Sequence, residues 1–300
     1  MEKVIPIKVS KDMKVKDLVD AMAKTGFGAR KIGLAAKIAE EMFSDKECKV
    51  FLGVAGAMVP GGMKQLIIDL INKKYINVLV TTGANLTHDL AESLGHNHYH
   101  CDTWNDEKFN KEGYDRIYNV LMKNDVYGDL ENFFSLNWDL FKDITKIKDL
   151  LSKIGELLPD NSNSILKACY KNNVPIYCPS LADSGIGLMI WGRLAAGKTI
   201  KVGAFEDMND IIDFSWVSKR KGVIYIGGGV PKNFIQQSLQ FSTAANYGIQ
   251  ITTDSPAGGG SSGAPLVEGK SWGKLEHDAE YVDVLCDATI ALPLIFSRFL

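Results

Sequence analysis

The chain has 300 residues, of which 46% are apolar and 23% charged, and its formal net charge is −2 at neutral pH. A chain of this length buries a sizeable core, and its near-neutral balance creates no global field that would attract nucleic acid or an anionic membrane. The five cysteines are scattered without paired spacing, and neither a signal-peptide pattern nor a long apolar run stands out. We therefore expect a cytoplasmic protein with reduced thiols.

The N-terminal part carries two stretches of apolar residues at helical spacing. The first runs from Val15 to Met22, and the second is the Ala-rich stretch from Ile32 to Phe43. Two glycines between them indicate a turn. The pattern predicts that residues 1–45 form an N-terminal helical segment that covers the rest of the fold.

Six short β-rich runs follow, and most of them precede a helical pattern. They are Lys49–Val54, Ile76–Val80, Val174–Cys178, Val223–Ile226, Gly248–Thr252 and Val282–Leu285. This rhythm predicts an α/β fold, with a doubly wound, mostly parallel, Rossmann-like sheet and helices on both faces. Because no composition shift marks a boundary, we expect residues 1–300 to form a single domain. Ligands of such sheets lie beyond the carboxyl ends of the strands.

Three of these runs end in loops of small residues. They are the triplet Gly227–Gly229, the stretch Gly53–Gly62 and the stretch Thr81–Asn85. Glycines at a strand end let backbone N–H groups approach a phosphate, although a single such loop is as often a structural turn. Three on successive strands favour a nucleotide ligand. The usual GxGxxG pattern is absent, which argues against an ordinary dehydrogenase.

The segment from Thr252 to Gly263 is too rich in glycine and serine for a helix or strand. It is either a flexible linker or a binding loop, and we favour the loop because apolar strands anchor both ends. Lys274 follows shortly after, beside Trp272, in what we expect to be a loop at the ligand edge of the sheet. A desolvated lysine there would be a nucleophile toward an imine, whereas a solvated surface lysine is the commoner state.

Other polar residues allow two interpretations. His96, His98 and His100 alternate along the chain and would suit a metal, but no second ligand group stands at metal-site spacing, so we predict no metal site. Asp183 and Asp287 each follow a predicted strand. They are either ordinary helix caps or ligands of a ribose or an amine.

The segment SWGK at Ser271–Lys274, with Glu268 before it and Asp287 and Ala288 after it, resembles the signature of deoxyhypusine synthases. Further stretches match that family in order and spacing: FLGVAGAMVPGG, VLVTTGANLTHD, RIYNVLMKND, PIYCPSLADSGIG, YIGGGVPK and QITTDSP. The similarity covers nearly the whole chain, which we place in the prokaryotic branch of the family as one NAD-binding domain.

The resemblance implies a transferase that uses NAD and moves an aminobutyl group from spermidine to a lysine of the hypusine-containing translation initiation factor. By its match, Lys274 would capture the group as an imine, Trp272 would wall the substrate channel and Glu268 would hold an ammonium end. A homotetramer is also implied. The resemblance assigns cofactor contacts to Thr81, Thr82, Gly83, Asp183, Gly227, Gly228, Gly229, Thr253, Asp287 and Ala288.

Four positions in the expected substrate site depart from the eukaryotic pattern. Leu188 and Ser261 stand where those enzymes carry aspartates, Asn233 replaces a catalytic histidine, and Gln237 replaces an asparagine. Thr87 and His88 likewise replace an acidic pair near the nicotinamide. Losing carboxylates removes ion pairs that would hold a polycation. Two alternatives therefore stay open: the same chemistry with a smaller amine such as putrescine (homospermidine synthase-like) or agmatine, and a non-catalytic NAD-binding protein.

Overall fold

The computed structural model describes residues 2–300 as alternating helices and strands. The helices are α1 (Val15–Met22), α2 (Phe27–Ser44), α3 (Lys64–Asn72), α4 (Gly83–Ser93), α5 (Asp106–Lys111), α6 (Val126–Phe141), α7 (Ile147–Leu157), α8 (Ile165–Asn172), α9 (Gly185–Ala195), α10 (Glu206–Val217), α11 (Gly229–Gln240), α12 (Glu268–Ser271) and α13 (Ala288–Phe296). The strands are β1 (Cys48–Val54), β2 (Val78–Thr81), β3 (His98–His100), β4 (Tyr114–Ile117), β5 (Val120–Lys123), β6 (Ile176–Tyr177), β7 (Arg220–Ile226), β8 (Ala245–Thr252) and β9 (Leu275–Leu285).

The chain divides into two compact units. The first contains the residues up to Ala55 together with Asp69–Val80 and Met208–Leu300, and the second contains Gly56–Ile68 and Thr81–Asp207. Compact units assembled from several chain segments do not by themselves decide between one domain and two. The single domain over residues 1–300 therefore stays a prediction.

The first unit is built on a sheet with the strand order β2-β1-β7-β8-β9. Strands β1, β7, β8 and β9 pair in parallel, and the register sets Val54 beside Ile226, Ile226 beside Ile251 and Thr252 beside Leu285. Strands β1 and β7 are buried along almost their whole length, as expected of parallel strands covered by helices. The predicted α/β class is confirmed, and each of the six predicted strands is present.

The predicted N-terminal helices are also present, as α1 and α2. Helix α2 contributes an apolar face, including Ile32, Ala36 and Met42, and packs against the sheet strands β8 and β9. Gly33 lies so close to the backbone of Ala23 that a β-carbon would overlap it, so the two helices meet only because residue 33 has no side chain. The predicted N-terminal helical segment is therefore confirmed, and α2 covers part of this sheet.

The second unit contains a three-stranded antiparallel sheet, with the order β3-β5-β4, that the sequence patterns do not predict. Its strands have three or four residues each and cover a small core of Cys101, Phe109 and Leu121.

All five cysteines are free thiols. Within residues 2–300, no helix combines the length and the apolar character needed to cross a bilayer.

A fully buried carboxylate organises the helices of the second unit. Asp89, on α4, has no exposed surface and accepts hydrogen bonds from the Ser164 hydroxyl at 2.7 Å and from the backbone N–H groups of Ile165 and Leu166 at 2.8 and 2.9 Å. These two N–H groups belong to the first turn of α8, where they lack partners within the helix. Asp89 thus satisfies them and ties α8 to α4.

We expect the substitution Asp89→Ala to destabilise the protein by roughly 2–4 kcal/mol, because it leaves three buried donors without an acceptor. Urea unfolding followed by circular dichroism measures this loss. The matched control is Asp149→Ala, which removes an exposed carboxylate from the first turn of α7 and should change stability by only a few tenths of a kcal/mol. Equal effects of the two substitutions would contradict the role given to Asp89.

Candidate active site

One cavity of the first unit gathers the residues predicted to bind and process the substrate. It has a volume of about 340 Å³. The residues that line it are Lys232, Asn233, Gln236, Gln237, Gly259, Ser261, Ala264, Pro265, Glu268, Gly269, Trp272 and Lys274. The predicted nucleophile and five of the six predicted substrate residues are therefore brought together, and Leu188 belongs to the second unit.

Two chain segments form the walls of this cavity. On one side, α11 contributes Lys232, Asn233, Gln236 and Gln237, whose spacing sets them on one side of a helix. On the other side, the connection from β8 to β9 passes through α12 and a turn at Gly273, which has a φ of +67°. This connection ends at Lys274.

The position of Lys274 differs from the prediction of a loop beyond the carboxyl ends of the strands. Lys274 directly precedes β9, and its carbonyl accepts a hydrogen bond from the N–H of Ala245, the first residue of β8, at 3.1 Å. Its own N–H donates to the carbonyl of Gly269 at 2.8 Å. The predicted nucleophile thus lies at the amino ends of β8 and β9, because the parallel pairing makes the connection return there.

The environment of Lys274 lowers the pKa of its amine. Its Nζ atom lies 5.1 Å from the ring centroid of Trp272, and the side chain is partly buried. Burial lowers the pKa of Lys274, whereas the nearby carboxylate of Glu268 raises it. Burial is the larger effect, so the fraction of unprotonated amine exceeds that of a solvated lysine.

Lys232 and Gln236 line the cavity although the sequence patterns give them no role. Lys232 is only 2% exposed, and its ammonium donates to the carbonyls of Ser261 at 2.8 Å and Ala264 at 2.6 Å. Burial lowers the pKa of Lys232 to about 8. A lysine in the first turns of a helix is ordinarily solvated, so only the stretch YIGGGVPK, in which it stands, marked this position.

The glycine-rich segment after β8 is held against the rest of the first unit. The Ser262 hydroxyl accepts a hydrogen bond from the N–H of Gly229 at 3.1 Å, and the Gln250 side chain donates to the carbonyl of Ala264 at 3.1 Å. A β-carbon on Gly263 would overlap the backbone of Ser255. These contacts favour the ordered loop over the flexible linker, and its ligand stays a prediction.

The three glycines after β7 also contact this segment. Gly227 and Gly229 adopt φ values of +72° and +54°, which favour glycine. A β-carbon on Gly228 would overlap the Cα atom of Ser262. Gly228 therefore permits the backbone of Ser262 to approach closely. The phosphate contact of these glycines stays a prediction.

A second cavity of the first unit has a volume of about 530 Å³, and the other predicted cofactor residues of this unit are not among the residues that line it, although their chain neighbours Thr252, Asp254 and Leu285 are. Thr253 follows β8, and Ala288 begins α13. Asp287 caps α13 by accepting hydrogen bonds from the N–H and hydroxyl of Thr289 at 2.7 and 2.6 Å, so the helix-cap interpretation holds for it. The residues that line the second cavity include Arg30, Lys31, Gln250, Asp254, Val284 and Leu285.

The remaining predicted residues belong to the second unit. Thr81 ends β2, Thr82 caps α4 by accepting a hydrogen bond from Asn85, and Gly83 is packed tightly against Ser184. Asp183 is not the cap of α9, because the hydroxyl of Ser184 accepts the hydrogen bond from Gly187. Leu188 lies on α9 and is 55% exposed, along a cavity that it shares with Tyr127 and Trp191.

The histidines of the second unit bind carboxylates and one another. His98 is hydrogen-bonded to Glu92 at 2.7 Å and to His88 at 3.0 Å, and His96 is bonded to Asp129 at 2.8 Å. In the described part of the chain, residues 2–300, no group of three or more histidine, cysteine, aspartate or glutamate side chains is arranged to hold a metal ion.

A family model described as deoxyhypusine synthase matches residues 17–299. The chain belongs to the deoxyhypusine synthase family. Two archaeal relatives named probable deoxyhypusine synthase 1 are similar over 293 residues. The one from Methanosarcina mazei is 43% identical and covers 97% of this chain and 92% of its own, and the one from Archaeoglobus fulgidus is 40% identical and covers 97% and 96%.

A crystal structure from Entamoeba histolytica that carries the same enzyme's name superimposes with a TM-score of 0.68. It is 22% identical, covers 96% of this chain and 93% of its own, and supports the fold. Enzymes of the deoxyhypusine synthase family are transferases, so the predicted enzyme class is confirmed.

The tight contact at Gly228 yields a stability test for this deoxyhypusine synthase family member. We expect Gly228→Ala to destabilise it by about 1–3 kcal/mol, because the new methyl group meets the backbone of Ser262. Gly258→Ala in the same glycine-rich segment meets nothing within 4 Å and should be nearly neutral. Chemical unfolding of both variants measures the difference, and a neutral Gly228→Ala would contradict the contact.

The histidine pair yields a pH test. Burial, followed by the charge of His98, lowers the pKa of His88 from its ordinary value of 6.5 to about 4. Below pH 6.5 the unfolded chain takes up a proton at His88 that the folded chain binds only near pH 4. The contribution of His88 to the free energy of unfolding is therefore fully present above pH 6.5 and is lost as the pH falls from 6.5 toward 4. We expect His88→Gln to remove on the order of 1–2 kcal/mol of this pH dependence.

Unfolding free energies measured at several pH values test this expectation. His277→Gln, which changes an exposed histidine on β9, is the matched control and should leave the pH dependence unchanged. A pH dependence that is the same in His88→Gln and the unsubstituted protein would exclude His88 as its source.

Proposed function

We propose that this protein transfers an aminobutyl group from spermidine to a lysine of the hypusine-containing translation initiation factor, with NAD as cofactor and Lys274 as the covalent carrier. The observation that carries the proposal is the single cavity in which Lys274, Trp272 and Glu268 converge. Family membership supports the same activity.

The side chains of the cavity can bind the substrate and carry out its covalent capture. The unprotonated Lys274 amine attacks the carbon of a substrate imine, the leaving amine departs, and the aminobutyl group stays bound to Nζ as a new imine. The Glu268 carboxylate would hold the ammonium end of the substrate, and the ring of Trp272 would face its cationic chain. The enclosed site would protect the imine from water.

The residues near the second cavity suit a dinucleotide. Arg30 and Lys31 can pair with phosphates, Asp254 can accept ribose hydroxyls, and Leu285 and Val284 offer apolar surface to a ring. The buried Gln250 carries an oxygen, Oε1, without a hydrogen-bond partner among the described residues, which a ligand donor would satisfy. When bound, NAD would supply the hydride acceptor that converts a substrate amine into an imine.

A related transferase acting on a smaller amine is the second candidate. Besides two lysines, the lining residues include one carboxylate, Glu268, together with the neutral side chains of Asn233, Gln237 and Ser261. One carboxylate holds one ammonium group, whereas spermidine carries three. This charge balance favours putrescine, in a homospermidine synthase-like reaction, or agmatine.

We also propose that the protein is a cytoplasmic homotetramer. Large apolar side chains are exposed on each unit, including Trp191 at 65% and Trp216 at 66% of their surface, and such residues are common where subunits meet. Light scattering on the purified protein tests the subunit number, and a monomer over the micromolar range would exclude the tetramer.

The reaction is tested by incubating the protein with NAD and spermidine, reducing with borohydride and searching Lys274 for an aminobutyl adduct by mass spectrometry. We expect the adduct on Lys274 and its loss in Lys274→Arg. The matched control is Lys270→Arg, which changes a lysine of the same segment whose ammonium donates to the carbonyl of His277. It should retain the adduct.

Parallel incubations with putrescine and agmatine separate the two candidates. An adduct with spermidine alone supports the leading proposal, and an adduct with a smaller amine alone supports the second. Absence of any adduct, with NAD binding retained, would contradict the covalent role of Lys274 and favour a non-catalytic NAD-binding protein.

A further inference from the structure

One buried side chain joins two of the loops that the sequence predicts to contact a nucleotide. The turn 56–62 lies within the stretch Gly53–Gly62, and both this turn and the stretch Thr81–Asn85 belong to the second unit. Asn85 lies in the first turn of α4, is only 2% exposed, and is hydrogen-bonded to both loops. A buried amide needs such partners, and the proposed chemistry gives Asn85 no role. The groups that these bonds hold in place indicate what the side chain does.

The amide of Asn85 matches the backbone of the turn 56–62. Its Oδ1 atom accepts hydrogen bonds from the N–H groups of Met58 at 3.0 Å and Val59 at 3.4 Å, and its Nδ2 atom donates to the carbonyl of Gly56 at 2.7 Å. Only a side chain that carries both an acceptor and a donor can make these bonds. A carboxylate would face the carbonyl of Gly56 with an oxygen, and an apolar side chain would satisfy none of the three groups.

The turn keeps its shape through hydrogen bonds of its own. The N–H of Gly61 donates to the carbonyl of Ala57 at 2.9 Å, and the N–H of Gly62 donates to the carbonyl of Val59 at 3.0 Å. Asn85 therefore fixes where the turn lies relative to α4 rather than the internal form of the turn.

Asn85 also determines how the Thr82 hydroxyl can bond. The Oγ1 atom of Thr82 accepts hydrogen bonds from the N–H and from the Nδ2 atom of Asn85, both at 3.3 Å. These two bonds occupy the acceptor lone pairs of the hydroxyl and leave its hydrogen to donate. The same Nδ2 atom lies 3.4 Å from the Oγ1 atom of Thr81. Donor hydroxyls suit the phosphate and ribose oxygens of a nucleotide, and both threonines are predicted cofactor contacts.

We propose that Asn85 is a positioning residue for NAD: its amide holds the turn 56–62 beside the start of α4 and orients the Thr82 hydroxyl as a donor, so that both loops are in place before the cofactor binds. This inference rests on the proposed use of NAD. The physical basis is preorganisation, because a loop that must be ordered during binding lowers the affinity.

Asn77 offers a matched control in the first unit. Its Oδ1 atom accepts a hydrogen bond from the N–H of Val50 at 2.8 Å. Asn77 and Asn85 each reach a backbone N–H group 27 residues away along the chain. Asn77 lies outside the predicted nucleotide loops, so its loss should affect stability alone.

The test measures the affinity for NAD by isothermal titration calorimetry and the stability of the same variants by urea unfolding. Asn85→Leu removes every hydrogen bond of the side chain, and we expect it to raise the Kd for NAD about tenfold, because binding must then also order the turn. Asn77→Leu should lose stability and keep the Kd. An unchanged Kd in Asn85→Leu would overturn the proposal.

A second variant and a second measurement complete the test. If Asn85→Leu does not fold, Asn85→Ser has a side chain too short to reach the turn, and the same rise in Kd is expected. Without ligand, amide hydrogen exchange in residues 56–62 should become faster in either Asn85 variant but not in Asn77→Leu. Saturating NAD should restore the slower exchange, because the bound cofactor then holds the turn. Exchange as slow as in the unsubstituted protein would overturn the positioning role.

The measurements separate this inference from the proposed function. If the unsubstituted protein binds no NAD, the proposed function fails and the role of Asn85 fails with it. If the unsubstituted protein and Asn85→Leu bind NAD equally well, the proposed function stands and only the role of Asn85 fails.

Discussion

The parallel pairing of β7, β8 and β9 is the constraint on which the candidate site depends. Parallel neighbours require the chain to return from the carboxyl end of one strand to the amino end of the next. Between β7 and β8 this return is the helix α11, and between β8 and β9 it is the irregular stretch 253–274. The two returns lie on either side of the same cavity, so the residues that meet there are distant in sequence.

An irregular return has a structural cost that the contacts of the first unit offset. A helix satisfies its own backbone groups, whereas the stretch 253–264 must find partners elsewhere. The carbonyls of Ser261 and Ala264 accept hydrogen bonds from the side chains of Lys232 and Gln250. The Ser262 hydroxyl accepts another from the N–H of Gly229, and Gly228 leaves space for the approach. The glycine and serine content that suggests a flexible linker thus allows a closely packed wall.

Much of the first unit could be predicted from local patterns. The features that could not be predicted depend on contacts between distant segments of the chain. Apolar runs identified the strands because parallel strands are buried on both faces. The sheet β3-β5-β4 escaped prediction because its strands are short and half exposed. The buried position of Lys232 could not be predicted because its ammonium donates to two carbonyls about thirty residues away along the chain. For the cap of α9, the sequence suggested Asp183, whereas the cap is the adjacent Ser184, whose extended backbone lets its hydroxyl accept the hydrogen bond from the N–H of Gly187.

The scarcity of carboxylates in the cavity bears on how such a site would divide its work between binding and covalent capture. Ionic contacts act on the free amine and therefore set how much donor is bound. Once an imine forms at Lys274, the covalent bond retains the aminobutyl group whatever the strength of those contacts. Replacing a carboxylate by Ser261 would therefore weaken the binding of a free polyamine more than the later transfer. The same replacement makes the pocket less negative, which favours the unprotonated state of Lys274 on which the covalent step depends.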